Sequence, residues 1–281
     1  MQQLTKDTSR IEAIQRRQEK IIRQQWAAFI QRATSSLVQE RVAALIAGYK
    51  LEAILQLVDA HVDRFSNVLA TTFADAASKE ADFVTAQIGP LTKASFNLAD
   101  RRAAEFILRN RELFVRNLTR QQRDVVRQAL IEGLRAGDNP SQIARRFART
   151  IGLTAEQRRA IESYQRALEA GSMEALRRAA RDPKFDERLL TAAEGGDPLT
   201  TKQIEMMVGA YTRNLRLSRA RTIAETEALR VVNAARNIAT RQALEAAGTK
   251  GTKTWLHTSS AEPRETHLQM VGDTVGMDEH L

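Results

Sequence analysis

Residues 51–73 read LEAILQLVDAHVDRFSNVLATTF, and this stretch decides the fold class. Leu51, Ile54, Leu55, Val58, Val62, Phe65, Leu69 and Phe73 recur mostly at spacings of three and four, which lays one apolar stripe along an α-helix. Such a stripe is stabilised by packing rather than by intrinsic propensity, so it predicts other helices against it. His61 stands at the border of the stripe and reads as an edge residue, since no second ligand accompanies it at helical spacing.

Upstream, Ile11, Ile14, Ile21, Ile22, Trp26 and Phe29 form a thinner seam from Thr8 to about Ile30, diluted by Gln18 and Gln25. This N-terminal arm either binds a partner or folds back on its own domain. Downstream, Gly89 and Pro90 punctuate the chain. A helix is expected from Thr92 to about Leu118, with Phe96, Ala99, Ala103, Phe106 and Leu113 on its apolar side. Thr119 and Gln122 have capping-box spacing and predict a new helix there, closed by Gly137. Asn139, Pro140 and Ser141 make a turn into a short helix ended by Gly152, and Thr154 with Gln157 opens the next. Residues 181–198 read as a connection with a short helix inside it, and Thr200 or Thr201 starts a long helix reaching Gly248. Beyond it, near-alternation from Thr252 to Thr258, and Thr274 with Val275 between glycines, predict a short strand or hairpin.

The expected fold is therefore mainly α, an elongated multi-helix body with a small C-terminal β-containing appendage. Its segments are an N-terminal helical arm (1–50), a long-helix segment (51–118), a helical body (119–248) and the appendage (249–281).

Composition narrows the function classes. The absence of cysteine excludes a disulfide framework, a thiolate zinc site and a cysteine nucleophile, and a reducing compartment fits best. The first thirty residues carry no apolar signal region, and every apolar run is broken by charge far short of a membrane span, so stable membrane insertion is not expected. The net charge of +9 is unevenly placed: residues 101–181 hold 18 cations, all arginine, against 9 acids, whereas residues 51–100 hold 3 against 7. An arginine-rich stretch of this kind suits phosphates, with Arg145, Arg146 and Arg149 as candidate DNA contacts. It equally suits a solvated helix face laced by pairs such as Glu105 with Arg109 and Glu112 with Arg116.

Four pieces of the chain resemble the phage Mu F-like head morphogenesis, or minor head protein, family. The first is ALIEGLRAGDNPSQIARRFARTIGLTAEQ (129–157), and the second is YQRALE, beginning at Tyr164. The third is the long helix at 211–248, where Tyr211, Arg219, Arg221, Thr226 and Glu227 fall at family positions. The last is TWLHTSSAEPRETHLQMVGDTVGMDE (254–279), with Trp255, Arg264, His267, Gly272 and Asp278 at the family's tryptophan, Arg-x-x-His, glycine and acidic positions. The resemblance covers a little over half of the chain. Family members continue into a loop with paired cysteines, which this sequence does not reach, so the protein is either naturally short or a truncated form.

The resemblance implies a non-enzymatic structural protein of the virion, made in the host cytoplasm and placed in the head interior or at the portal vertex. Its implied partners are the portal protein, the major capsid or scaffold protein and packaged double-stranded DNA, with no cofactor. Its implied role is head assembly and DNA packaging or delivery. The alternative is a DNA-binding protein co-packaged or co-injected with the genome.

His257, Arg264, His267, Asp273, Asp278 and His280 crowd together, but the interval from His257 to His267 fits neither a helical pair nor a zinc finger, so no metal or catalytic site is assigned. Arg264 and His267 suit structural hydrogen bonding better. Glu225 and Glu227, two apart on a helix, do not face each other and instead predict ion pairs with Arg221 and Arg230. No Walker loop, nucleophile elbow or His-Glu-x-x-His is present.

Overall fold

The helix predicted at 51–73 forms and runs further, as α3 (Leu51–Ile88), in a computed structural model that describes residues 2–88, 96–254, 269–277 and 279. The stripe does what its spacing requires: Ile54, Leu55, Val58, Val62, Phe65, Leu69 and Phe73 are all buried. The rest is mainly helical as well: α1 (Gln2–Ala33), α2 (Ser36–Ala47), α4 (Arg101–Arg135), α5 (Pro140–Thr150), α6 (Ala155–Glu169), α7 (Asp186–Ala193) and α8 (Thr201–Ala246). Two strands, β1 (Thr252–Thr254) and β2 (Thr274–Gly276), pair antiparallel with Lys253 opposite Val275. Among the described residues, no helix is long and apolar enough to cross a membrane.

Local chemistry sets the helix ends. Asn139 and Thr154 cap α5 and α6 with full capping boxes through Gln142 and Gln157. Thr200 and Gln203 exchange the same pair of bonds ahead of α8. The break expected at Thr119 is absent, because α4 runs through it. Gln122 lies on the same helical face as Leu118, Val125 and Ala129 and is fully buried, so its side chain faces the interior and caps no helix. The stop expected at Gly89 and Pro90 lies outside the described residues.

The chain divides into two compact units, neither of which is continuous in sequence. The first takes Met1–Ile22, Val68–Arg111 and Glu225–Leu281; the second takes Arg23–Asn67 and Glu112–Ala224. Each thus receives part of α1, α3, α4 and α8, unlike the consecutive segments drawn along the sequence.

In the first unit Ile14 of α1, Phe73, Ala76 and Ala77 of α3, Ala103 of α4 and Val231, Val232, Ala235 and Ile238 of α8 share one core. Arg10 and Gln18 of α1 meet Glu80 and Asp75 of α3, so those helices run in opposite directions. α4 and α8 do likewise, through Arg102 with Glu245 and Asn110 with Arg230. The small hairpin belongs to this unit, and Arg241 of α8 donates to the Met277 carbonyl beside it.

The second unit is built on aromatic rings. Trp26 packs edge-on against Phe65 at 5.3 Å between centroids, Phe29 lies 5.0 Å from Trp26, and Phe114 of α4 reaches Phe65 at 5.4 Å. α5 adds Ile143, Ala144 and Phe147, all buried. Gly133 allows this approach, since a Cβ there would come within 2.8 Å of Ile143 Cγ1. A second cluster gathers Tyr164, Leu168, Leu189, Met207 and Tyr211. The apolar face of α1 is therefore consumed inside the chain: Ile14 in one unit, Trp26 and Phe29 in the other. Of the two readings of the N-terminal arm, the described part of α1 follows the second and folds back on its own chain.

Candidate functional site

The residues singled out on α8 fall in both units and do not form one site. In the second unit, the face of α8 that carries Met207, Ala210 and Tyr211 is buried. Tyr211 stacks on Tyr164 of α6 with centroids 4.3 Å apart, so two of the pieces quoted for the resemblance touch. Burial pushes the Tyr164 hydroxyl up to about 12, and the Tyr211 hydroxyl is raised by the same cause.

Two turns further along, Arg216 and Arg219 enter the protein. The Arg216 guanidinium donates to the carbonyls of Ala148 (2.9 Å), Arg149 (3.0 Å) and Ile151 (3.1 Å), which are carbonyls at the C-terminal end of α5. A cation there complements the helix dipole and satisfies acceptors that the helix leaves open. Burial lowers its pKa from the usual guanidinium range. Arg219 is only 6% exposed, lies 5.4 Å above the Trp26 ring and donates to Gln121 Oε1 at 2.8 Å. Its pKa falls to about 10, mainly through desolvation, with Glu156 opposing. Cation–π attraction and one neutral amide hold this charge in place of a carboxylate.

Gln122 completes the arrangement. Its Nε2 donates to the Leu153 carbonyl at 3.1 Å and its Oε1 accepts from the Gly152 amide at 2.8 Å, pinning the loop between α5 and α6 to α4. Gly152 adopts φ +81°, and a Cβ there would run into Ile30 Cδ1. Only glycine meets both demands. The arrangement joins α1, α4, α8 and the α5–α6 loop by amide, guanidinium and ring contacts, and it sets no nucleophile beside a base.

In the first unit, Glu227 and Arg230 form the expected pair at 2.8 Å, with Asn110 Oδ1 at 3.4 Å from Arg230. Burial raises the Glu227 carboxyl above its ordinary range against the opposing pull of Arg230. Thr226 is exposed, and so is Arg221, which forms no ion pair with Glu225 among the described residues. The pairs expected within α4 also differ: Glu105 is approached by Arg101 at 3.8 Å rather than by Arg109. Gly272 stands at φ +96° in the turn before β2, a conformation suited to glycine. Trp255, Arg264, His267 and Asp278 lie outside the described residues, as do His257 and His280. Among the described residues, no three His, Asp or Glu side chains gather to hold a metal ion.

On α5, Arg145, Arg146 and Arg149 are all exposed, but Arg146 is engaged by Asp138. His61 is half-buried on α3, and burial together with Arg64 and Arg32 lowers its pKa. Sequence reasoning missed Trp26, Gly152 and Arg216 as parts of the junction and misassigned Gln122. A glutamine falling within an otherwise apolar face of α4 was the available signal for the last.

Comparison of the chain with protein-family models, with curated proteins and with solved structures gives no match in any of the three.

Proposed function

We propose that the chain is a non-enzymatic minor head protein of a tailed phage or prophage. In this reading it associates with the portal vertex, contacts major capsid or scaffold protein, and supports head assembly and DNA packaging or delivery. The observation that carries it is the convergence of three separately quoted pieces in one unit. The 129–157 piece supplies α5 and its capped ends, YQRALE supplies Tyr164, and the α8 piece supplies Tyr211, which stacks on Tyr164, and Arg216, which donates to the end of α5. Pieces that resemble one family in sequence order thus also pack as one framework. The chemistry of the junction fits a framework too, because its guanidinium and amide groups go to backbone carbonyls and rings.

The test is co-expression with the portal protein of the genome that encodes the chain, followed by affinity capture and gradient sedimentation. The proposal expects the chain to travel with the portal and with procapsids. A chain that stays at the top of the gradient, with portal and procapsids formed normally, contradicts it.

A further inference from the structure

The formal charge of +9 is not shared between the two units. The second holds 26 Lys and Arg against 18 Asp and Glu, a net +8, while the first holds 17 against 16, a net +1. Within the second unit, the outward face of α4 carries Arg116, Arg120 and Arg127, all exposed. At 3.6 residues per turn these three fall within about 40° of one another around the helix, at axial steps of about 6 Å and 10.5 Å.

Among the described residues, neighbouring acids reach this line only at Arg127. Glu132 is taken by Arg158 at 2.6 Å, and Asp59 and Glu52 of α3 are turned to Arg123. Asp124 stands 3.9 Å from Arg127, at the edge of an ion pair, and Arg116 and Arg120 have no ion pair among the described residues. Exposed Glu112 begins this part of the helix. Arginine is also the cation whose planar fork matches phosphate oxygens.

From this geometry we infer that the outward face of α4 in the second unit binds the phosphate backbone of double-stranded nucleic acid, without reading sequence. A duplex is favoured over a single strand because this stretch of α4 carries no exposed aromatic ring, its Phe114 being turned into the core. It is favoured over an isolated phosphate because a line of separated cations on a rigid helix gains from an array of charges, each contact releasing counterions. The inference does not depend on the head-protein reading, since charge and geometry alone support it. It also moves the nucleic-acid contact from α5, where Arg146 is already engaged, to α4.

The experiment is fluorescence anisotropy of the full chain with a labelled DNA duplex, and with an RNA duplex of equal length, across roughly 50 to 200 mM salt. Three triple variants lose the same charge: Arg116→Gln/Arg120→Gln/Arg127→Gln, Arg145→Gln/Arg146→Gln/Arg149→Gln, and Arg166→Gln/Arg177→Gln/Lys202→Gln as the control. Circular dichroism verifies that each is folded. The α4 triple is expected to flatten the slope of log K against log salt by about 2.7, three contacts at about 0.9 each. The control and the α5 triple are expected to change it by less than about 1. Such a loss on either duplex supports the assignment and names the source. Equal loss in the α4 triple and the control, or a larger loss in the α5 triple, overturns it. Ile131 and Leu134 are also exposed further along α4, so flotation with phosphatidylserine vesicles is run in parallel. Vesicle binding lost in the α4 triple while duplex binding is unchanged overturns the inference as well.

Discussion

The two units draw on the same four long helices and hold them by different means. In the first, alanines and valines pack beside a smaller ring cluster of Phe73 with Phe96 and Phe106, and ion pairs run along the seam: Glu80 receives Arg10 at 2.6 Å and Arg236 at 3.7 Å, and Asp75 receives Lys79 and Gln18. In the second, four packed aromatic rings fill the space, and buried neutral amides and cations without an acid stand beside ion pairs such as Arg123 with Asp59. The contrast separates what charge does in each place. In the first unit cations and acids nearly balance, and in the second a net charge of +8 remains, part of it on exposed arginines.

Substitutions that attack each construction should therefore differ in size. The largest effect is expected from Trp26→Ala, which empties the centre of the ring cluster and removes the face that supports Arg219; a loss of about 3–5 kcal/mol in urea unfolding is predicted. If the loss is under about 1 kcal/mol, the rings are not what holds the second unit. Next comes Gln122→Leu, similar in volume but unable to bond. It leaves the Gly152 amide and the Leu153 carbonyl buried without partners, at about 2 kcal/mol, and should speed hydrogen exchange at Gly152.

Glu80→Ala probes the first unit in the same way. Its partners are part-exposed and can turn to water, so the expected cost is smaller, about 1–2 kcal/mol. A cost matching Trp26→Ala would erase the distinction between the units.

The smallest effect is a slope rather than a loss. The folded chain holds the Glu227 proton more tightly than the unfolded chain does, because burial raises that carboxyl. Folding then takes up a proton in the window above the ordinary carboxylate range, and Glu227 makes stability fall as pH rises through it. Asp100 and Glu245 act in the opposite sense: hydrogen bonds from Arg102 hold both low, so their contribution is lost as pH falls. Measured from pH 4 to pH 8, Glu227→Gln should therefore gain in Tm relative to the parent as pH rises. A difference that does not change with pH removes Glu227 as a titrating group.

Much of this architecture was legible in the sequence where it rests on local rules. The α3 stripe, the boxes at Asn139 and Thr154, the start of α8 and the strand near Thr252 all follow from spacing and capping chemistry. Thr119 and Gln122 misled because capping-box spacing also occurs by chance inside a long helix, where only burial distinguishes the two. The junction was legible only in part. Tyr211 and Arg219 were marked by resemblance, but their surroundings come from distant chain: Arg219 finds Trp26 nearly two hundred residues upstream, and Arg216 finds the end of α5. No helical periodicity encodes such pairings. The division of charge was equally hidden, since the arginine-rich stretch of residues 101–181 crosses both units and only packing separates its engaged members from its exposed ones.

The role proposed for this framework is that of a component of an assembled head. Quantitative mass spectrometry of gradient-purified heads from the phage or prophage that encodes the chain tests it most directly. Peptides of the chain are expected in the head fraction, in fixed proportion to the portal protein across preparations. Heads that contain portal and DNA but none of this chain, while the same lysate holds it in abundance, would contradict it.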